Sequence, residues 1–89
     1  MKANSWTVTH DPIRLLDDKT NLAQLENEAR EQGEDIIQAT CGCMTLDLGW
    51  YRDRYQVLLV KDQNWTAPVK QAEASDLVSA LRRFRNLLV

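Results

Sequence analysis

Apolar and polar residues alternate through Met44-Thr45-Leu46-Asp47-Leu48, and a second strand-like run, Tyr55-Gln56-Val57-Leu58-Leu59-Val60, follows after a polar link. A period of two sends side chains to opposite faces of a strand, so both segments are read as strands. Further on the period changes. Leu77, Leu81, Phe84 and Leu88 recur at i, i+4, i+7 and i+11, with Ala80 and Leu87 widening the stripe, which predicts an amphipathic helix over Ser75–Leu88. Ser75 or Asp76 is its cap, and Ser79, Arg82, Arg83 and Asn86 lie on the opposite face. Between strand and helix, Trp65, Ala67 and Val69 share one side of a third extended stretch, with Pro68 suggesting an edge position.

The first half carries weaker patterns. Ser5-Trp6-Thr7-Val8-Thr9 is rich in β-branched and aromatic residues and stops at Asp11-Pro12, which suggests an edge strand. Asp11 before Pro12 resembles a helix entry, but one helix running on to residue 32 would place Ile13 and Leu16 opposite Leu22 and Leu25, so a break near Asp17–Thr20 is expected. Asn21, with Gln24 three residues on, caps a second helix whose stripe is Leu22, Leu25 and Ala29 and whose end is Gly33. Ile36–Leu48 alternates imperfectly around Cys41-Gly42-Cys43, and a glycine inside such a pattern marks a bulge or strand break near Gly42. Gly49–Arg54 reads as a hairpin connection with an exposed aromatic tip, and Asp62-Gln63-Asn64 as a second turn.

The expected fold is therefore α+β: a small antiparallel sheet of three to four strands with two helices on one face, in β-α-β-β-β-α order. The other face is left partly exposed, and edges at Trp6 or Trp65 invite dimerisation. Counted from the Asn21 helix, an α-β-β-β-α order is similar, at the level of layout, to double-stranded-RNA-binding domains. That family carries lysines at the start of its last helix, whereas this chain has Gln71-Ala72-Glu73-Ala74-Ser75-Asp76, so the resemblance implies a layout and no RNA-binding role.

Eighty-nine residues, 44% of them apolar and 27% charged, describe one globular domain. A chain of this size buries only about 60–65% of its unfolded surface and has little volume for a deep pocket. The longest aliphatic run, Val57–Val60, is far too short to span a bilayer, and the N-terminal segment lacks the apolar stretch of a secretion signal, so no membrane association and a cytoplasmic location are expected. The net charge of −2 hides a split: residues 1–49 carry four Lys/Arg against nine Asp/Glu, and residues 50–89 carry seven against four. Such an asymmetry can be satisfied within the fold, by self-association or by a partner.

Candidate chemistry is sparse. His10 is the single histidine, without nucleophile spacing or a glycine-rich phosphate loop around it, and carboxylate pairs such as Asp17-Asp18 and Glu34-Asp35 sit where loops meet helices. No catalytic residue, metal ligand or cofactor site is assigned, and the chain is read as a non-enzyme. Cys41 and Cys43 are too few for a zinc site and lack the C-x-x-C spacing of redox motifs, so they are read as reduced structural thiols. Four of the six aromatics fall within residues 50–65. Trp, Tyr and Arg dominate interface centres, so Trp50, Tyr51, Arg52, Arg54 and Tyr55 are the expected contact patch for another protein or a second copy. The alternative partner is nucleic acid, held by Arg82, Arg83 and Arg85 of the last helix.

Overall fold

In the computed structural model, which describes residues 6–16 and 22–88, the strands are β1 (Thr7–His10), β2 (Ile37–Cys41), β3 (Met44–Tyr51), β4 (Arg54–Lys61) and β5 (Lys70–Ala74). They form one antiparallel sheet in sequence order, and the described helices, α1 (Leu22–Glu31) and α2 (Leu77–Leu87), both pack on its inner face. The α+β class is present, and the expected succession of a leading strand, a helix, a run of strands and a closing helix is observed, with five strands instead of three or four and the extra one between the helices. The additional strand comes from Gly42. At φ 60° it opens a tight turn with Cys43, so Ile37–Cys41 folds back as a separate strand paired with β3.

Register explains which residues become core. Ile37, Leu48, Val57 and Ala72 form one row across β2 to β5, and Ala39, Leu46 and Leu59 form the next. Onto these rows α2 lays Leu77, Ala80, Leu81 and Phe84, all buried, while Ala29 of α1 and Ile36 close the layer. The stripe read from the sequence is thus the face that packs, with Leu88 half-buried at its end. Asp76 caps α2: its Oδ1 accepts from the Ser79 amide at 2.8 Å, which holds the carboxyl below its ordinary pKa. Gly33, at φ 64°, lies two residues past α1 and turns the chain towards β2. The Asn21 cap, Ser5 and the expected break at 17–20 lie outside the described residues.

Two segments differ from the pattern. Asp11–Leu16 is a turn, not a helix entry: the Asp11 carboxylate accepts from the Leu15 and Leu16 amides at 2.8 and 3.1 Å, Arg14 has φ 55°, and Leu15 is driven into the core. The expected strand around Trp65–Val69 is a loop, and β5 lies just after it. Asp62 and Gln63 both adopt left-handed conformations, at φ 55° and 60°, and carry the chain away from the strand direction. The Gln63 amide reaches the Thr45 hydroxyl at 3.4 Å on the outer face, and Thr45 and Val60 are buried. Pairing resumes where the Val69 amide donates to Leu59 O at 2.7 Å. With four strands between the helices, the α-β-β-β-α layout of double-stranded-RNA-binding domains is not formed. Among the described residues, no helix is long and apolar enough to cross a membrane.

Candidate partner-binding surface

The β3–β4 hairpin is longer and tighter than an exposed link over 49–54. Its strands run through to Tyr51 and Arg54, leaving Arg52 and Asp53 as the tip, with Arg52 at φ 63°. Paired strands alternate faces, and that alternation divides the aromatic and basic residues of the hairpin. Trp50 and Tyr55 are cross-strand partners on the inner face, and their rings meet edge to face with centroids 4.7 Å apart. Tyr55 is fully buried, and its hydroxyl donates to the Glu26 carboxylate of α1. The same carboxylate accepts from the Leu77 amide at 3.4 Å and lies 3.6 Å from Arg30, whose guanidinium sits over the Trp50 ring at 4.4 Å. Burial, then the Glu26 contact, push the Tyr55 phenol well above its ordinary pKa. This network joins α1, the sheet and the start of α2, so Trp50 and Tyr55 serve packing.

Tyr51, Arg52 and Arg54 fall at the tip and on the outer face. Arg54 is engaged in an exposed cross-strand pair with Glu73 at 3.0 Å and with Asp53 at 3.3 Å. The α2 arginines Arg82, Arg83 and Arg85 are all exposed, and Arg85 donates to Leu16 O at 3.3 Å, tying the helix to the Asp11–Leu16 turn. Cys41 and Cys43 lie at the other hairpin and form no disulfide, Cys41 half-buried and Cys43 exposed at the tip, so only Cys41 fits the expectation of a sheltered structural thiol.

The outer face of β3 brings Tyr51 of the expected contact patch together with residues outside that patch. Gly49 is the reason they meet. A Cβ there would lie 2.5 Å from the Glu34 carbonyl oxygen and 2.9 Å from the Tyr51 ring, so only glycine lets both cover this face. The α1–β2 link is fastened beside it by Trp50 N–H to Gly33 O at 2.7 Å and Ile36 N–H to Leu48 O at 3.0 Å. Glu34 and Asp35 are thereby brought to Asp47, and the β4–β5 loop adds Trp65. Together with Gln38 and Tyr51 these residues line a cleft of about 200 Å³. Glu34 and Tyr51 also line its larger neighbour, of about 410 Å³, which extends to Arg52, Asp53 and Arg54.

Asp47 is the chemical centre of the smaller cleft. It is only 4% exposed; its Oδ2 accepts from Gln38 Nε2 at 3.3 Å, and its Oδ1 has no hydrogen-bond partner among the described residues. Burial raises its pKa to about 6, with a lesser upward push from Asp35 and Glu34 against the opposing effects of Gln38 and His10. The neighbouring Tyr51 phenol is raised to about 12, first by burial and then by Asp47, Glu34 and Asp35. His10, which lines a separate cleft with Thr9, Asp35 and Gln38, has its Nε2 2.9 Å from Asp35 O. Among the described residues, no group of three or more His, Cys, Asp or Glu side chains is arranged to hold a metal ion. The sequence signals for this site were scattered, namely Tyr51 and Trp65 among the clustered aromatics, the Glu34-Asp35 pair and an acidic residue between Leu46 and Leu48, and none of them distinguished a solvated face from a covered one. Comparison with known proteins gives no match, whether among family models, curated proteins or solved structures.

Proposed function

We propose that this chain is a cytoplasmic, non-enzymatic module that binds another protein or a second copy of itself through the outer face of its sheet at the hairpin end. The observation that carries this reading is Trp65: it is 41% exposed, on a loop, and lines a cleft with Tyr51 instead of joining the core. An indole left in water beside a second aromatic, Tyr51, which also borders the arginine-bearing tip, has the composition of an interface centre. Tyr51, Arg52 and Arg54 continue that surface, and the inner-face pair Trp50 and Tyr55 holds its geometry from behind.

Photo-crosslinking tests the reading by position. A benzoylphenylalanine placed at Trp65 or at Arg52 should trap a discrete polypeptide or a dimer in host cells, whereas the same group at Val78, exposed on α2 and away from the hairpin, should not. Equal trapping at all three positions, or trapping of nucleic acid at Arg82 or Arg83 alone, overturns it.

A further inference from the structure

Asp47 is expensive for the fold as it stands. A carboxylate withdrawn from water loses hydration that a single neutral donor, Gln38, does not replace, and its second oxygen is unpartnered among the described residues. Buried polar groups left half-satisfied are characteristic of places where a sequence serves something other than stability. Here the unsatisfied group lines a cleft whose walls repeat its charge: Glu34, Asp35 and Asp47 are all among the lining residues, and among the described residues no lysine or arginine is. The remaining walls are Tyr51, Trp65 and the Gln38 amide.

We propose that this cleft receives the guanidinium group of an arginine side chain from a partner protein, seated against Trp65 and Tyr51 and facing the Asp47 carboxylate. Guanidinium fits better than ammonium on three counts: it is planar and stacks on aromatic rings, it sheds water more readily, and it contacts a carboxylate through two N–H groups. A volume of about 200 Å³ admits that head group and the methylenes carrying it. The molecule already uses the same chemistry internally. On the inner face of the same hairpin, Arg30 lies over Trp50 with Glu26 as its carboxylate, at 4.4 and 3.6 Å. The outer cleft has the aromatic and acidic members of that arrangement and, among the described residues, no cation. This assignment rests on the protein-binding reading above and names the side chain recognised.

The test uses the full chain, labelled for amide and indole NMR, titrated with a short blocked peptide carrying one arginine and with matched peptides carrying citrulline or lysine. The expected result is a dissociation constant on the order of 1 mM for the arginine peptide. Shifts should be confined to Gln38, Asp47, Tyr51 and the Trp65 indole, and binding should be at least about tenfold weaker for citrulline and lysine. Asp47→Asn, which keeps the shape, and Trp65→Ala, which alters an exposed loop, should each weaken binding by about tenfold or more while the remaining spectrum stays native. Shifts elsewhere, equal binding of citrulline, or an unaffected Asp47→Asn variant overturns the proposal. The same resonances moving when the protein alone is concentrated would assign the cleft to a second copy and also overturn it. Crosslinking at Trp65 that survives Asp47→Asn would leave the protein-binding reading standing without this inference; arginine binding without any crosslinked partner would do the reverse.

Discussion

Replacing Asp47 by asparagine separates the cost of its buried charge from the shape of its side chain. In the unfolded chain the carboxyl titrates near 3.8, and in the folded protein near 6. The folded state therefore holds a proton that the unfolded state releases between those values, so stability is greatest below pH 4 and falls as pH rises through 6. Two pK units correspond to about 3 kcal/mol, an upper figure for this site at pH 7.5. Asparagine removes that charge but leaves one amide donor where Oδ1 had no partner, which costs about 1 kcal/mol. The variant should thus be more stable than the natural protein by about 2 kcal/mol at pH 7.5, raising the melting temperature by about 10 °C, and equal or slightly less stable at pH 4.5. The Asp76 carboxyl has its pKa lowered, so its contribution disappears only below pH 4 and does not disturb this window. Urea unfolding followed by tryptophan fluorescence at half-unit steps from pH 4.5 to 8 measures the difference directly. A pH-independent difference, or a variant less stable at pH 7.5, would refute the claim that this carboxylate is ionised at a cost. A variant that gains stability and loses arginine binding would show what the charge is for.

Gly49→Ala should destabilise the protein by about 3 kcal/mol or more, because the added Cβ meets the Glu34 backbone at 2.5 Å. Gly42→Ala, with open space around its Cβ but φ 60°, should cost only about 1–2 kcal/mol, and thermal unfolding of the pair distinguishes crowding from backbone strain. Tyr55→Phe removes the donor to Glu26 and should cost about 1.5–3 kcal/mol in denaturant unfolding, with the Trp50 environment preserved because the edge-to-face contact needs no hydroxyl. Asp76→Ala should speed hydrogen exchange of the Ser79 amide and of the first turn of α2, and leave the exchange of β3 unchanged.

Much of the fold was legible because it is local. Two strands and the last helix announce themselves by periodicity; Gly42 was legible as a bulge or strand break, whereas at φ 60° it forms a tight turn between paired strands. The last strand was misplaced by five residues, since Lys70-Gln71-Ala72-Glu73-Ala74 has little intrinsic strand preference and is recruited by the free edge of β4, whereas Trp65–Val69 looks extended and is turned away by two left-handed residues. At the hairpin, residue types were read correctly as aromatic and basic, but a segment treated as a link has no faces. Once the strands extend to the tip, Trp50 and Tyr55 must point inward and Tyr51 outward.

Alone, the order of residues determined the class of fold, the faces of α2 and the clustering of aromatics near one hairpin, because each depends on contacts between near neighbours in the chain. Tertiary structure decided that Glu34, Gln38, Asp47, Tyr51 and Trp65 share one cleft. That meeting depends on strand register, on the close approach permitted by Gly49, and on a loop that crosses the sheet, and none of these is encoded within a single segment. The charge of Asp47 is visible in the sequence; that it lies buried with one oxygen unpartnered among the described residues is a property of the packing around it.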